Sequence, residues 1–469
     1  MIMTTRLYIL ILSLAMFFVA RSTVVDCRPG ELHALAGADA SKLTELTLTG
    51  EADASDLFFI ADRMPQLRTL DISALSIVAY SGETLKGSAN YPASALPDGL
   101  FAGSVLQNVK LSGGLDIGAM AFASSRLKSL ELPPSTRRVG IGAFASSSLV
   151  EATLSGSAEY ESDVFSWCLA LERVNLSGMN ALPPSFFKNC QKLSVVDGAA
   201  ELTEIGDEAF HNCVVLKDFQ FGTRLSHIGD KAFLYSGLTR ADMSGCAADS
   251  IGHLAFLGCQ NLNAVDLPPS CGKIPDYGFA CSAVRGTLNL GSVAELGSYS
   301  FASCNSIASI IMPGQLSVIG DGAFTNLRTL SNIFAGKLGI VPALGAEVFG
   351  DIDRTKVNLY VAENMTDEFA QAEIWQDFKI LIETEGSINE VTAAAAVLRC
   401  RRDGQTLIIV SDGPEIERAD VFSASGQMLL SGTPAANKCT LSLDGIQKQV
   451  IIVGARVADG SLHSLKISL

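Results

Sequence analysis

Charge is scarce in this chain, and aromatic residues other than phenylalanine are scarcer still. Asp, Glu, Lys and Arg make up 18% of the 469 residues, against 48% hydrophobic ones. A chain so apolar does not stay disordered. Basic residues are in deficit, 34 against 49 acidic ones, for a formal net charge of −15. That balance excludes a surface that grips nucleic acid through its phosphates, disfavours heparin, and leaves basic protein partners open. No C-x-x-C, no H-E-x-x-H and no G-x-S-x-G occurs. Zinc, redox, metalloprotease and nucleophile-elbow chemistry therefore have no motif to rest on. Gly82 and Gly87 have the spacing of a phosphate-binding loop, but Ser88 stands where that loop needs lysine.

Long hydrophobic runs are also missing, apart from one at the start. Arg6 precedes a largely apolar stretch of 14 residues, Leu7 to Ala20. A spanning helix needs about 20, so residues 1–22 read as a signal peptide, with Ala20 and Ser22 placing cleavage before Thr23. A lipoprotein signal would use Cys27, but Asp26 stands where it needs a small residue. The expectation is an exported product, on the cell surface or secreted, with the periplasm as the alternative. No transmembrane span is expected once the signal is removed.

What the chain has in abundance is one repeated phenylalanine. It stands at Phe101, Phe122, Phe144, Phe165, Phe187, Phe210, Phe233, Phe256, Phe279, Phe301, Phe324 and Phe349, at intervals of 21 to 25 residues. Four residues before it is glycine in eight of the twelve cases and proline in three. About six residues after it begins an apolar-x-x-apolar-x-apolar pattern, as in Leu127, Leu130, Leu132 and in Leu262, Val265, Leu267. The last two of these positions alternate, which marks a short strand with one face buried. One such unit cannot bury its own apolar side chains, but stacked units can. The prediction is a pile of coils with the phenylalanines inside and the strands in a parallel sheet, about 50 Å long if strands are spaced as in any sheet.

The units Ile205-Gly206…Ala209-Phe210…Cys213…Leu216 and Ile251-Gly252…Ala255-Phe256…Cys259…Leu262…Leu267-Pro268 resemble the BspA-like class of leucine-rich repeats. The resemblance covers roughly residues 96–350 and implies a leucine-rich-repeat solenoid of short parallel strands and β-rich coils. Residues 357–380, with Phe369, Trp375 and Phe378, look like the end of such an array. Residues 40–95 look like an N-terminal cap, with Leu57 to Ile60 as a helix between two strands.

Beyond Ile380 the periodicity stops. Seven short β-rich runs between Ala395 and Leu469, with turns at Asp403-Gly404, Asp412-Gly413, Ser425-Gly426 and Asp459-Gly460, predict a small antiparallel β-sandwich. This segment is similar to the C-terminal domains of proteins exported by the type IX secretion route. The likeness lies in Glu385 to Val391, Val421 to Gly426 and Asp459 to Leu469. It lacks the Gly-apolar-Tyr element expected where Gln447 to Val450 stand. The expected organisation is a signal peptide 1–22, a cap with atypical repeats 23–95, a repeat solenoid with its C-terminal cap 96–382, a linker 383–394, and a β-rich sorting or accessory domain 395–469.

Candidate chemistry is sparse. Cys168, Cys190, Cys213, Cys259 and Cys304 each lie three residues after a repeat phenylalanine. They read as a ladder of small buried residues, with an adjacent-coil disulfide such as Cys190–Cys213 as the alternative. The five histidines fall in different repeat registers, so stacking cannot gather them into a metal site. Asp207, Asp230 and Asp321 follow the repeat glycine and form either a calcium-binding row or solvated turn acids. No cofactor, no metal and no catalytic residue is expected. What remains is the outward side of the strands: Glu131, Glu151, Arg173, Asn175, Asp218, Gln220, Arg240, Asp242 and Asp266. That face is shallow and of mixed charge, without a deep pocket, and it suits an extracellular or surface protein, with a glycan as the further option. The resemblance implies adhesion to host matrix or to other cells. The alternatives are a periplasmic or surface scaffold and a glycan-binding accessory protein. An enzyme is not expected.

Overall fold

The computed structural model describes residues 22–37, 39–84 and 87–383, and in the C-terminal segment 398–403, 405–411, 415–423, 428–432, 438–444, 446, 450–457 and 462–468. The chain divides into two compact units, residues 1–216 and 217–469. The signal peptide expected at 1–22 and the linker expected at 383–394 lie outside the described residues, apart from Ser22 and Glu383.

The first unit begins with a parallel ladder of long strands. Ser22–Cys27 pairs with Glu45–Ala52, which pairs with Thr69–Ile77, which pairs with Asn108–Lys110. Between the second and third runs the helix Ala54–Arg63, where the sequence places one. Asp53 caps it, accepting from the Ser55 and Asp56 amides, while Asp56 accepts from the amides of Asp53, Gly30 and Leu32. One buried carboxylate thus fixes both the helix start and the turn that leads away from the first strand. A hairpin that the sequence reading misses, Tyr80–Thr84 with Gly87–Tyr91, follows the third strand.

From residue 95 onward the coils alternate two kinds of strand. The major ladder runs Ser129–Glu131, Glu151–Thr153, Arg173–Asn175 and Val195–Asp197, all parallel. The minor ladder is two residues wide: Ala95–Leu96, Asp116–Ile117, Arg138–Val139, Glu159–Tyr160, then Ala181–Leu182 with Glu204–Ile205. Two residues are too few to carry a period, so in the sequence this second ladder is seen only as a bend. Between the ladders the phenylalanine turns inward. Phe101, Phe122, Phe144, Phe165, Phe187 and Phe210 form one column with centroids 5.4 to 5.6 Å apart and planes within 2° to 29° of parallel. All six are buried, and burial of each stabilises by roughly 1.5–3 kcal/mol.

In the second unit Phe233, Phe256, Phe279, Phe301, Phe324 and Phe349 repeat the column at 5.0 to 6.2 Å. Its major strands are Arg240–Asp242 with Ala264–Asp266, then Arg285–Asn289, Ser306–Ile311, Asn332–Phe334, Asn358–Val361 and Lys379–Ile382 in one parallel sheet. Leu216, Phe219 and Phe221 keep the apolar-x-x-apolar-x-apolar spacing, yet no strand forms there and both rings are half-buried. Their rings pack on each other at 4.9 Å and on Phe233 at 5.2 and 5.5 Å. Two bulky rings at alternate positions are too large for the slots that Leu130 and Leu132 fill in an earlier coil. The column ends on Trp375 and Phe378, which meet Phe349 edge-on at 5.5 and 5.0 Å. The Trp375 Nε1–H donates to the Pro342 carbonyl at 3.3 Å. These edge-on rings close the stack against water, as a cap must.

The C-terminal segment holds two antiparallel sheets. One joins Leu398–Asp403, Thr406–Ser411 and Lys438–Ser442. The other joins Met428–Gly432, Ile416–Ser423, Val450–Val457 and Leu462–Ser468. Leu407, Ile409 and Leu441 from the first and Ile416, Val421 and Val453 from the second share one buried cluster. The segments that carry most of the type IX likeness, Glu385 to Val391, Ser425-Gly426 and Asp459-Gly460, lie outside the described residues.

Candidate interaction surface

The backbone that presents the strand face is set by the turn on the other side of the coil. Two residues before and two after each phenylalanine the chain adopts positive φ. In one coil these are Met120 and Ser124, in the next Gly142 and Ser146, and further on Asp163 and Trp167. This left-handed conformation costs an L-residue roughly 1–2 kcal/mol, and the array bears it twice per coil to turn Phe inward. The repeat glycine has a different reason. Gly252 has ordinary φ, but a Cβ there would run into the backbone of Gly229 and Asp230 in the preceding coil. Glycine at that point lets successive coils close up.

Two side-chain devices tie the coils together, and the sequence shows their residues but not their roles. In the first, an aspartate after the glycine or proline accepts the backbone N–H of the next coil. Asp98 accepts from Ala119, Asp230 from His253, Asp276 from Ser298 and Asp321 from Ala346, each at 2.7 Å. Asp230 and Asp321 thus each commit one carboxylate oxygen to holding two coils together. In the coil where Glu161 replaces the glycine, its carboxylate reaches back to the Ile141 amide at 2.9 Å. Among the described residues no group of three or more His, Cys, Asp and Glu side chains is placed to hold a metal ion.

In the second device a cysteine thiol donates to the carbonyl of the preceding phenylalanine. Cys168 donates to Phe144 at 3.2 Å, Cys190 to Phe165 at 3.1 Å, Cys259 to Phe233 at 3.1 Å and Cys304 to Phe279 at 3.2 Å. All eleven cysteines are free, Cys190 and Cys213 included. Burial pushes the Cys168, Cys259 and Cys304 thiols up to about 11 and holds Cys190 well above the ordinary range. Ser147, Ser236 and Ser282 occupy the same register and contact the next cysteine at 3.2 to 3.3 Å.

The strand face itself is built in register. In the first unit Glu151 lies beside Arg173, and Thr153 beside Asn175. Glu131, Glu151 and Arg173 are exposed. Arg173 reaches Asp197 at 2.8 Å, and Lys110 reaches Asp71 at 3.2 Å. Pairs this exposed contribute about 0–1 kcal/mol, so they orient the face more than they stabilise it. Asn175 is half-buried and turned to the backbone: its carbonyl oxygen accepts from the Ser177 amide at 2.9 Å and hydroxyl at 2.7 Å. Asp242 does the same with Ser244 in the second unit. Both close the turn after their strand.

In the second unit Arg240 stands between two carboxylates, Asp266 at 2.6 Å and Asp242 at 3.5 Å. Burial raises the Asp266 carboxyl against the opposing pull of Arg240, while the Ser244 hydroxyl lowers Asp242. Asp218 and Gln220 are exposed but sit on the coil that forms no strand. Further along, the face turns neutral. Asn358 donates to Asn332 at 3.0 Å, Asn332 to Ser309 at 3.4 Å, and Tyr360 stacks on Phe334 at 4.8 Å. The sequence reading stops at Asp266 and misses this amide ladder. It also misses a cleft of about 900 Å³, which opens away from the major strands beside the Tyr80–Tyr91 hairpin.

Among the described residues no helix is long and apolar enough to cross a membrane. A search of curated proteins returns no match. Solved structures similar to the chain include a leucine-rich repeat protein from Bacteroides ovatus, 22% identical over 68% of this chain and 84% of that one, with a TM-score of 0.49. A leucine-rich repeat protein from Eubacterium ventriosum is 15% identical over 70% and 88%, with a TM-score of 0.37. A leucine rich cell surface protein from Faecalibacterium prausnitzii is 20% identical over 54% and 86%, with a TM-score of 0.31. The family described as the BspA type leucine rich repeat region matches residues 115–239 and 226–351, just over half of the chain. Those residues hold every ring of the phenylalanine columns but Phe101, with the crowded glycines and the thiol ladder, and the chain belongs to the BspA-type leucine-rich repeat family.

Proposed function

We propose that this is an exported, surface-displayed repeat protein that binds an extracellular or surface protein through its major-strand face and catalyses no reaction. One observation carries the reading. The inward strand positions Leu130, Val174 and Ala241 are buried, while Glu131, Glu151 and Arg173 in the first unit, and Arg240 in the second, stand exposed on paired parallel strands. A shallow, polar strand face suits a macromolecular partner better than a small substrate. In this reading residues 1–22 direct export, 23–95 cap the array, 96–382 form it, and 383–394 link it to 395–469. The two C-terminal sheets pack as a β-sandwich around their shared cluster and serve in type IX sorting or as an accessory domain.

The test is binding of the purified chain to immobilised extracellular matrix proteins, next to a variant with Glu131, Glu151, Arg173 and Arg240 all changed to Ser. We expect the variant to bind at least about tenfold more weakly. Equal binding by the two proteins would sink the assignment of the face. Protease shaving of intact producing cells checks display: fragments of residues 96–382 should be released without lysis.

A further inference from the structure

The cleft beside the hairpin lies wholly in the first unit and crosses four successive coils, at Asp98, Asp116, Arg138 and Glu161. At ordinary strand spacing that is about 14 Å of length. Its volume of about 900 Å³ is in the range of small-molecule sites. One wall is the half-buried ring of Tyr91, with Phe58 edge-on behind it at 5.5 Å. Gly118 and Gly140 also line it, and their missing Cβ atoms let each coil close on the backbone of the coil before it.

The polar rim is held before any ligand arrives. Asp98 accepts the Ala119 amide at 2.7 Å. Asp116 takes a bidentate pair from Arg137 at 3.0 and 2.9 Å. Arg138 Nε donates to Glu161 at 3.1 Å, and Glu161 also accepts the Ile141 amide at 2.9 Å. Planar groups fixed in this way lose little freedom on binding.

The balance of these groups selects the ligand. The carboxylates of Asp98, Asp116 and Glu161 and the guanidinium of Arg138 are each already engaged within the protein, Asp116 by Arg137 from beside the cleft, so neither a cation nor an anion gains much. The minor strands pair with one another through their main chains, so the floor does not present the open edge that an extended peptide would join. A hydroxyl both donates and accepts, and one can bridge a carboxylate and a guanidinium at once. The Tyr91 ring suits a surface of C–H groups. We propose that this cleft binds a neutral oligosaccharide a few sugar rings long, with one ring face on Tyr91 and hydroxyls on Asp116, Arg138 and Glu161.

The test is calorimetry and saturation-transfer NMR on the purified full chain. The probes are cellotriose, maltotriose, mannotriose, xylotriose and triacetylchitotriose, with trilysine and a heparin tetrasaccharide as charged controls. We expect at least one neutral trisaccharide to bind at millimolar concentration or below, and Tyr91→Ala and Arg138→Gln each to weaken it about tenfold, the loss of one good contact. Lys273→Gln, on a minor strand of the other unit, should leave it unchanged. Tyr91→Ala could loosen the hairpin, so Arg138→Gln, a change at the surface, decides the matter alone. Absence of binding by all five neutral sugars overturns the proposal. So does binding that Arg138→Gln leaves intact, or binding of a charged control in their place.

Discussion

The two sides of a single coil obey different rules. On the turn side every position is constrained: a ring in the column, a left-handed residue on either flank, a glycine under the neighbouring backbone, a thiol on a carbonyl. On the strand side Asn175 and Asp242 close the turns after their strands, but the outward positions are otherwise little constrained, and they change from coil to coil, from Glu151 to Arg173 to Val195 along one line of the ladder. Packing writes the first side and leaves the second free. A repeat family can therefore keep its shape while altering what it recognises.

The sharpest way to break this contrast is to cut one residue from each side of the same coil. Phe144→Ala should lower stability by about 3–5 kcal/mol, because the neighbours at 5.4 and 5.5 Å cannot close the gap. Glu151→Ala, a few residues on, should stay within about 0.5 kcal/mol. Urea unfolding followed by circular dichroism measures both, and equal losses would erase the distinction. Next in size is Gly252→Ala, which forces two coils apart and should cost about 1–3 kcal/mol. The same substitution at Gly291, whose Cβ position meets nothing within 4 Å, tests positive φ without crowding and should cost less.

Met120 separates backbone from side chain on the turn side, since it is exposed yet has a φ of 54°. Met120→Gly should be neutral or stabilising by up to about 1 kcal/mol. Met120→Val should destabilise by at least as much, because a branched Cβ fits that conformation worst. Thermal melts of the pair decide it, and a more stable valine variant would refute the strain account.

The smallest effect lies on the strand side, at Asp242 and Asp266. Burial lifts Asp266, so its contribution to stability is present at low pH and is lost as pH rises through its folded value. The Ser244 hydroxyl lowers Asp242, so its contribution is present above the ordinary carboxylate range and lost as pH falls. Carboxyl NMR should show Asp266 protonating first on acidification, and Arg240→Gln should move both upward. The reverse order would mean that the triad is not formed in solution.

Much of the turn side is legible in the sequence, and for a physical reason. A ring that must fill the same slot in each coil leaves a period, and a period survives without coordinates. The end of the array could be read as well, because Phe369, Trp375 and Phe378 are large rings where the repeat fails. The minor ladder could not, since two residues carry no alternation. Nor could the aspartate bridges, whose acceptor and donor lie 21 to 25 residues apart. Phe219 and Phe221 mislead in the opposite sense, keeping the pattern while exceeding the space. The hairpin and its cleft arise from an interruption, and a search for regularity passes over interruptions.

The thiol ladder bears on how such a chain withstands an oxidising surrounding. With Cys168, Cys259 and Cys304 raised to about 11, roughly one in ten thousand of these sulfurs is ionised at neutral pH, and the anion is the form that attacks. Oxygen or a stray disulfide thus meets an unreactive interior for as long as the stack stays shut. A transient parting of neighbours would uncover adjacent sulfurs together, and bridging would then make a brief breathing motion permanent. In oxidising surroundings the lifetime of these ladder thiols would be set by how often the windings separate.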